Sequence, residues 1–193
     1  MLDRSSPLVP GSAPPKPGAK RAFAEERLRE AVIRCELAPG SKVSEGRLME
    51  LYGLNRAGIR AGLIRLEGEG LVEALPRHGW RIRPVTGAHI GEVVAARRAL
   101  ESAMPIRELS DARIARLGEL AQLTSALAGR NEAGSRASHR ACDREFMETL
   151  AGGLGEIRRR WLGEIWDHSE RLVAFLERGG RRRHDPADRR PLV

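Results

Sequence analysis

The stretch LAPGSKVSEGRLMELYGLNRAGIRAGLIRLEGEGLVE (37–73) decides the fold of the first part of this chain. Ser44 precedes a short leucine-rich run that Gly53 ends, and this pattern predicts a short helix. Asn55 is a good N-cap residue, and apolar residues at helical spacing after it predict a further helix that ends near Gly68. Two helices joined by so short a turn indicate a helix-turn-helix.

Strand patterns follow this stretch, and another helix precedes it. Residues 71–75 and 80–85 are two apolar runs separated by a turn rich in proline and glycine, which predicts a β-hairpin. Upstream, apolar residues recur at helical spacing from about Arg21, and that helix ends before Pro39. Three helices and a hairpin within residues 21–85 predict a winged helix-turn-helix domain.

The rest of the chain divides by composition. Residues 1–20 are rich in Pro, Gly and Ser and carry a small positive charge, so they are predicted to be a disordered basic arm. Residues 86–178 contain only helical patterns and predict an all-α bundle domain. The Arg-rich segment 179–193 has no apolar face and is predicted to be a solvated tail. The expected fold class is therefore mainly α, with a winged helix-turn-helix followed by a helical bundle.

The composition excludes several classes of protein. The chain has 193 residues, with 34 Lys and Arg against 26 Asp and Glu, so its net charge of +8 points to a polyanion as partner. No apolar run is long enough to cross a membrane, and no signal peptide is recognisable. Cys35 and Cys142 are too far apart in the sequence for a disulfide framework or a zinc knuckle. We therefore expect a cytoplasmic protein without a membrane partner.

Two arginines of the third helix are the main candidates for a contact with DNA. Arg56 and Arg60 are four residues apart, so they share one face of the first two helical turns. Ala57 and Gly58 between them are small, which is expected to let the helix approach base edges. Glycines at Gly58 and Gly62 cost about 1 kcal/mol each relative to alanine, so the helix is expected to be loose until DNA binds.

Anchor residues recur through this part of the chain at Pro39-Gly40, Leu48, Asn55-Arg56, Arg60, Leu63, Leu66 and Gly70-Leu71. By these residues, the segment 24–85 resembles the DNA-binding domain of the GntR family of bacterial transcription regulators. The resemblance implies that Arg56 and Arg60 contact guanines or the flanking phosphates, and that the cap residue Asn55 bonds a phosphate.

The same resemblance assigns further DNA contacts outside the start of the third helix. It implies a neighbouring backbone contact for Arg65, and a contact of His78 and Gly79 with the minor groove or its phosphates. The family usually has Arg where Gly46 stands, and Arg47 follows one position later, so that phosphate contact is expected to be displaced.

The segment 89–120 is similar to the start of the helical effector domain (FCD) of the FadR-type GntR subgroup, and its continuation is shorter than the resemblance implies. The resemblance implies that Arg97 and Asp143 face a small carboxylate effector. The subgroup holds a metal ion with an Asp and three histidines, but here Met147 replaces the first histidine of that motif. A thioether is a poor ligand for such metals, so no cofactor is expected.

These observations predict a bacterial, nucleoid-associated transcription regulator that binds a palindromic operator as a homodimer, and no catalytic motif points to an enzyme. One alternative is a degenerate DNA-binding dimer that senses no ligand. Another is a metal-binding or enzymatic helical protein whose winged helix contacts only protein. A third is a gene product with a shifted reading frame at its Arg-rich end.

Overall fold

The computed structural model describes residues 17–106, 109–130 and 132–183. Of the predicted arm, residues 17–20 begin a helix, and of the predicted tail, residues 179–183 end one. The other positions of both segments lie outside the described residues. The chain forms two compact units: residues 1–87 together with 170–193, and residues 88–169.

The first unit contains a winged helix-turn-helix, which confirms the predicted fold class. The sheet is antiparallel with the strand order β1 (Lys42–Val43), β3 (Gly79–Ile82), β2 (Val72–Leu75), and the hairpin pairs Val72 with Ile82 and Leu75 with Gly79. The sequence did not predict β1, because two residues are too few to show an alternating pattern. The elements are α1 (Pro17–Ile33), β1 (Lys42–Val43), α2 (Glu45–Tyr52), α3 (Arg56–Gly68), β2 (Val72–Leu75) and β3 (Gly79–Ile82).

The second strand of the hairpin ends earlier than residue 85, where the sequence analysis placed its end. The backbone N–H of Arg83 still donates to the carbonyl of Leu71, at 3.0 Å. Pro84 follows and has no N–H to donate, so the ladder stops there.

The helix caps are the predicted ones. The hydroxyl of Ser44 accepts a hydrogen bond from the backbone N–H of Arg47 at 3.2 Å, at the start of α2. Gly53 ends α2 with a φ of +64°, a left-handed conformation that glycine adopts without strain. The side-chain oxygen of Asn55 accepts from the backbone N–H of Gly58 at 2.8 Å, so Asn55 caps α3. The caps fix the two ends of the turn that orients α3.

Apolar side chains from all three helices and from the hairpin form one core in this unit. Burial of this surface is the main stabilising term, and it fixes which face of α3 remains exposed. The fully buried members include Leu28, Val32, Leu48, Ile59, Leu63, Leu66, Leu71 and Ile82.

The glycines of α3 have a structural role that the sequence analysis assigned wrongly. Gly58 and Gly62 are buried against α1 and do not face the exposed side of α3. A methyl group on Gly58 would lie 2.7 Å from the Cβ of Ala24, and one on Gly62 would lie 2.8 Å from Cδ1 of Leu28. The glycines therefore form a notch that lets α1 approach α3 closely.

The second unit is helical. Arg116 pairs at 2.6 Å with Glu145, which lies on the next helix along the chain, and a small apolar core includes Leu162 and Trp166. No helix among the described residues is long and apolar enough to cross a membrane. The elements are α4 (Gly87–Glu101), α5 (Asp111–Leu127), α6 (Ala133–Leu150), a 3-10 turn (Ala151–Gly153) and α7 (Glu156–Arg183), of which residues 170–183 belong to the first unit.

A fully buried arginine lies in the first unit. The Arg171 side chain has no exposed surface, and its Nη2 donates to the carbonyl oxygen of Arg83. Its Nε and Nη1 have no hydrogen-bond partner, and no carboxylate of the described residues pairs with it. Burial lowers the pKa of Arg171, and the nearby Cys35 partly opposes this. An uncompensated buried charge of this kind is costly.

Replacing Arg171 by methionine is therefore expected to raise the free energy of unfolding by about 1–2 kcal/mol. Methionine fills much of the same volume and removes the buried charge, at the cost of one hydrogen bond to Arg83. Urea unfolding of the two proteins measures the difference. A less stable R171M protein would show that the guanidinium has a compensating partner in the folded protein.

Candidate nucleic-acid interface

Arg56 and Arg60 project from the first two turns of α3. Packing of Gly58 and Gly62 against α1 orients α3, so that both arginines lie on the exposed side. Neither side chain forms an ion pair with any residue that the structure describes. Two guanidinium groups with open donors, one helical turn apart, can bond guanine edges or phosphates without first breaking an internal contact.

Arg65 and Arg47 are in a different electrostatic situation. Arg65 pairs with Glu69 at 3.0 Å and with Glu25 at 3.5 Å, and its hydrogen bond to Glu69 raises the pKa of Arg65 further. Arg47 is close to Glu50, at 3.5 Å. A phosphate contact by either arginine would compete with these carboxylates. The sequence analysis named the residues but could not show this pairing.

The tip of the wing is a tight turn whose geometry explains the glycine. The backbone N–H of His78 donates to the carbonyl of Leu75 at 2.9 Å, and His78 is exposed. Gly79 has a φ of +82°, and a methyl group on it would lie 2.7 Å from the carbonyl oxygen of Val43. The absence of a side chain at Gly79 thus lets the wing lie close to β1, and His78 is exposed beside it.

The sequence analysis did not include Arg77, Lys42 and Arg83 among the candidates. Arg77 is exposed at the wing tip with a φ of +66°, which is unusual for a residue with a side chain. Lys42 and Arg83 are exposed at the other end of the wing, on β1 and directly after β3. No ion pair joins these three side chains to the described residues. The positive charge of the turn was visible in the sequence, but the lack of counter-ions was not.

The two candidate effector residues are each held by a neighbour. Nε of Arg97 is 2.7 Å from Glu101, and the indole N–H of Trp166 donates to the same carboxylate oxygen at 2.9 Å. Asp143 is 3.0 Å from Nδ1 of His139, one turn earlier on α6.

The position of the missing metal ligand is part of the core of the second unit. Met147 packs against the buried cluster that includes Trp166. Within the described ranges, no three His, Cys, Asp or Glu side chains come together as a metal site. His184, a further histidine of the sequence, lies outside the described residues.

Comparison with known sequences gives a family resemblance for the winged helix-turn-helix domain. A sequence model described as "Bacterial regulatory proteins, gntR family" matches residues 20–82. An uncharacterized HTH-type transcriptional regulator in an unstable DNA locus of Streptomyces ambofaciens is 37% identical over 75 residues, or 39% of this chain and 32% of that protein. The HTH-type transcriptional repressor RspR of Escherichia coli K12 is 28% identical over 83 residues, or 43% of this chain and 36% of that protein. The matched region thus spans about a third of the length of these curated relatives.

Solved structures extend the similarity of fold beyond the winged helix-turn-helix. Escherichia coli McbR/YncC has a TM-score of 0.66 at 19% identity, covering 82% of this chain and 76% of that one. A putative GntR transcriptional regulator from Rhodococcus sp. RHA1 has a TM-score of 0.62 at 22% identity, covering 88% and 81%. At these identities the similarity concerns the fold alone.

Proposed function

From the GntR-family helix-turn-helix domain that residues 20–82 form, we propose that this chain is a sequence-specific DNA-binding transcription regulator and not an enzyme. The observation that carries the proposal is the exposed pair Arg56 and Arg60, which have no counter-ion among the described residues. Most nearby arginines, such as Arg65, are already paired with carboxylates. The open donors therefore lie at the end of α3 that a recognition helix inserts into DNA, and on the wing beside it.

The proposed contacts follow from the chemistry of the exposed side chains. The first turns of α3 enter the major groove, where Arg56 and Arg60 donate pairs of hydrogen bonds to guanine O6 and N7 or to phosphate oxygens. Arg77 and His78 at the wing tip contact the adjacent minor groove or its phosphates, and Asn55 stays close to the backbone as the cap of α3. Phosphate contacts make the affinity fall steeply with salt.

We also propose a homodimer on a palindromic operator. One winged helix contacts few base pairs, whereas two copies read two half-sites and multiply the specificity. The second unit, which the FadR-type resemblance assigns to an effector domain, offers exposed apolar side chains for such an interface. They include Ile90, Val94, Ile114, Leu123, Ile157 and Trp161.

The proposal does not require an effector for DNA binding. A carboxylate ligand at Arg97 would have to displace Glu101, which also accepts the hydrogen bond of Trp166. Asp143 is likewise engaged by His139. We therefore expect the protein to bind DNA without added small molecules, in the bacterial cytoplasm where the nucleoid lies. A concentration-dependent loss of operator binding on adding organic acids would instead support the effector-controlled regulator.

Selection of bound fragments from a random DNA pool tests the proposed function most directly. The purified full chain is expected to enrich an inverted repeat whose half-sites lie about one helical turn apart and contain guanine. Sedimentation of the complex gives the number of chains bound. Recovery of unenriched DNA over several rounds would contradict sequence-specific binding, and enrichment of a single half-site by a monomer would contradict the dimer.

A further inference from the structure

The packing of α1 on α3 fixes the relative direction of the two helices. Ala24 of α1 lies against Gly58 of α3. Leu28, one turn after Ala24, lies against Gly62, one turn after Gly58. The Cβ position of Gly62 also lies 3.3 Å from Cα of Glu25, so α1 crosses α3 at this contact. The contacts advance in the same sense along both helices, so the part of α1 that precedes Ala24 lies on the side of the crossing where α3 begins with Arg56.

Arg21 continues the contact stripe of α1 toward the side on which α3 begins. It precedes Ala24 by three residues and Leu28 by seven, so all three lie on one side of the helix. At 1.5 Å per residue, Arg21 is about 4.5 Å ahead of Ala24 along the axis of α1. Helical side chains also tilt toward the N-terminus, which carries the guanidinium further in that direction.

The charge around Arg21 is arranged so that this arginine can change partner. Nε of Arg21 is 2.8 Å from Oε1 of Glu25, in an ion pair whose arginine side chain is 68% exposed. The other oxygen of Glu25 faces Arg65 on α3 at 3.5 Å. If Arg21 moves away from Glu25, the half-buried carboxylate of Glu25 still has Arg65 as its ion-pair partner. An exposed pair of this type contributes little to stability, so exchanging it costs little.

We propose that Arg21 is an additional DNA contact, which binds a phosphate at the edge of the groove that α3 enters. This inference rests on the proposed function, because it uses the docking of α3 to place the phosphate. The contact is made to the DNA backbone and does not depend on the base sequence. It therefore adds affinity and fixes the position of α3 on the DNA. On binding, the guanidinium moves from Glu25 to a phosphate oxygen, and Glu25 stays paired with Arg65.

The test compares Arg21→Ala with Arg34→Ala in the full chain. Each of these arginines lies near one end of α1 and pairs with a glutamate four residues away. Arg34 pairs with Glu30 at 3.0 Å, at the end of α1 that is away from the start of α3. DNA binding is titrated at several salt concentrations, on the selected operator and on unrelated DNA. Because the DNA-bound homodimer carries two copies of Arg21, R21A is expected to lower the salt slope by about 1.8 and the affinity for both DNAs by roughly 10- to 60-fold at 0.1 M salt. R34A is expected to match the wild type.

The outcomes separate this inference from the proposed function. A normal salt slope for R21A, while the double variant Arg56→Ala, Arg60→Ala loses operator binding, overturns the Arg21 contact and leaves the proposed function intact. Unaltered binding by all these variants overturns both. Arg21→Lys keeps the charge and is expected to keep the slope, which distinguishes a phosphate contact from a structural effect on α1. Equal salt slopes for R21K and R21A, both below that of the wild type, would contradict a phosphate contact made by the charge at position 21.

Discussion

Replacing Arg56 and Arg60 together by alanine is expected to remove the preference of this chain for its operator. A bidentate contact between arginine and guanine contributes about 1–3 kcal/mol of discrimination, so the loss of two corresponds to roughly 30-fold to 10⁴-fold in affinity for each half-site of the operator. The affinity for unrelated DNA falls much less, because Arg77, Lys42 and Arg83 still attract phosphates. The double variant thus approaches the wild type's non-specific affinity.

The loss of binding would not come from unfolding. Both side chains are exposed and form no ion pair with the described residues, and the caps at Asn55 and the core contacts of α3 do not involve them. Exposed substitutions of this kind usually change the free energy of unfolding by less than about 0.5 kcal/mol. Alanine is also a better helix former than most residues. The thermal unfolding curve is therefore expected to overlay that of the wild type.

Arg65→Ala is the matched control on the same helix. Arg65 is also exposed, but Glu25 and Glu69 hold it, so its removal is expected to change operator affinity far less than either Arg56→Ala or Arg60→Ala alone. Competition titrations of operator against unrelated DNA give the specificity ratio for each variant. An unchanged ratio in the double variant would mean that α3 does not contact bases. A larger loss of operator affinity with R65A than with the Arg56 or Arg60 variants would indicate that the DNA-contacting face of α3 includes Arg65, closer to α1.

The sequence predicted the elements of the first unit because their signals are local. Ser44, Gly53 and Asn55 act within one helical turn, and the turn between the strands carries proline and glycine. The short strand β1 has no such signal, since it exists only through pairing of Lys42 and Val43 with the far side of β3. Tertiary pairing creates this strand, and a local pattern cannot show it.

The candidate site was predictable in its residue types and not in its electrostatics. The spacing of Arg56 and Arg60 places them together on one helical face, as the structure has them. Whether an arginine is available depends on carboxylates that are distant in the sequence, as Glu25 and Arg65 show. The same limitation applies to Gly58, because the residue that fills the space beside it belongs to α1, more than thirty positions earlier.

Gly58→Ala is expected to have the largest effect on stability, lowering the free energy of unfolding by about 2 kcal/mol. Its methyl group would lie 2.7 Å from the Cβ of Ala24, and both atoms are attached directly to the helix backbones. No side-chain rotation relieves the contact, so α1 must move away from α3, at a cost of about 3 kcal/mol. The better helix propensity of alanine returns about 1 kcal/mol of this. Gly46→Ala on α2 has open space around it and is expected to be neutral or stabilising.

The cause can be isolated by moving the methyl group from one helix to the other. In the double variant Ala24→Gly, Gly58→Ala, the notch is on α1 and the methyl group on α3, so the helices can approach as before. The double variant is expected to be more stable than Gly58→Ala alone, although Ala24→Gly by itself destabilises α1 by about 1 kcal/mol. Urea unfolding of the four proteins gives the coupling energy directly. Additive effects would show that the glycine is not required for the approach of α1. A strong coupling would tie the position of α3, and with it Arg56, to the close packing of α1 at this notch.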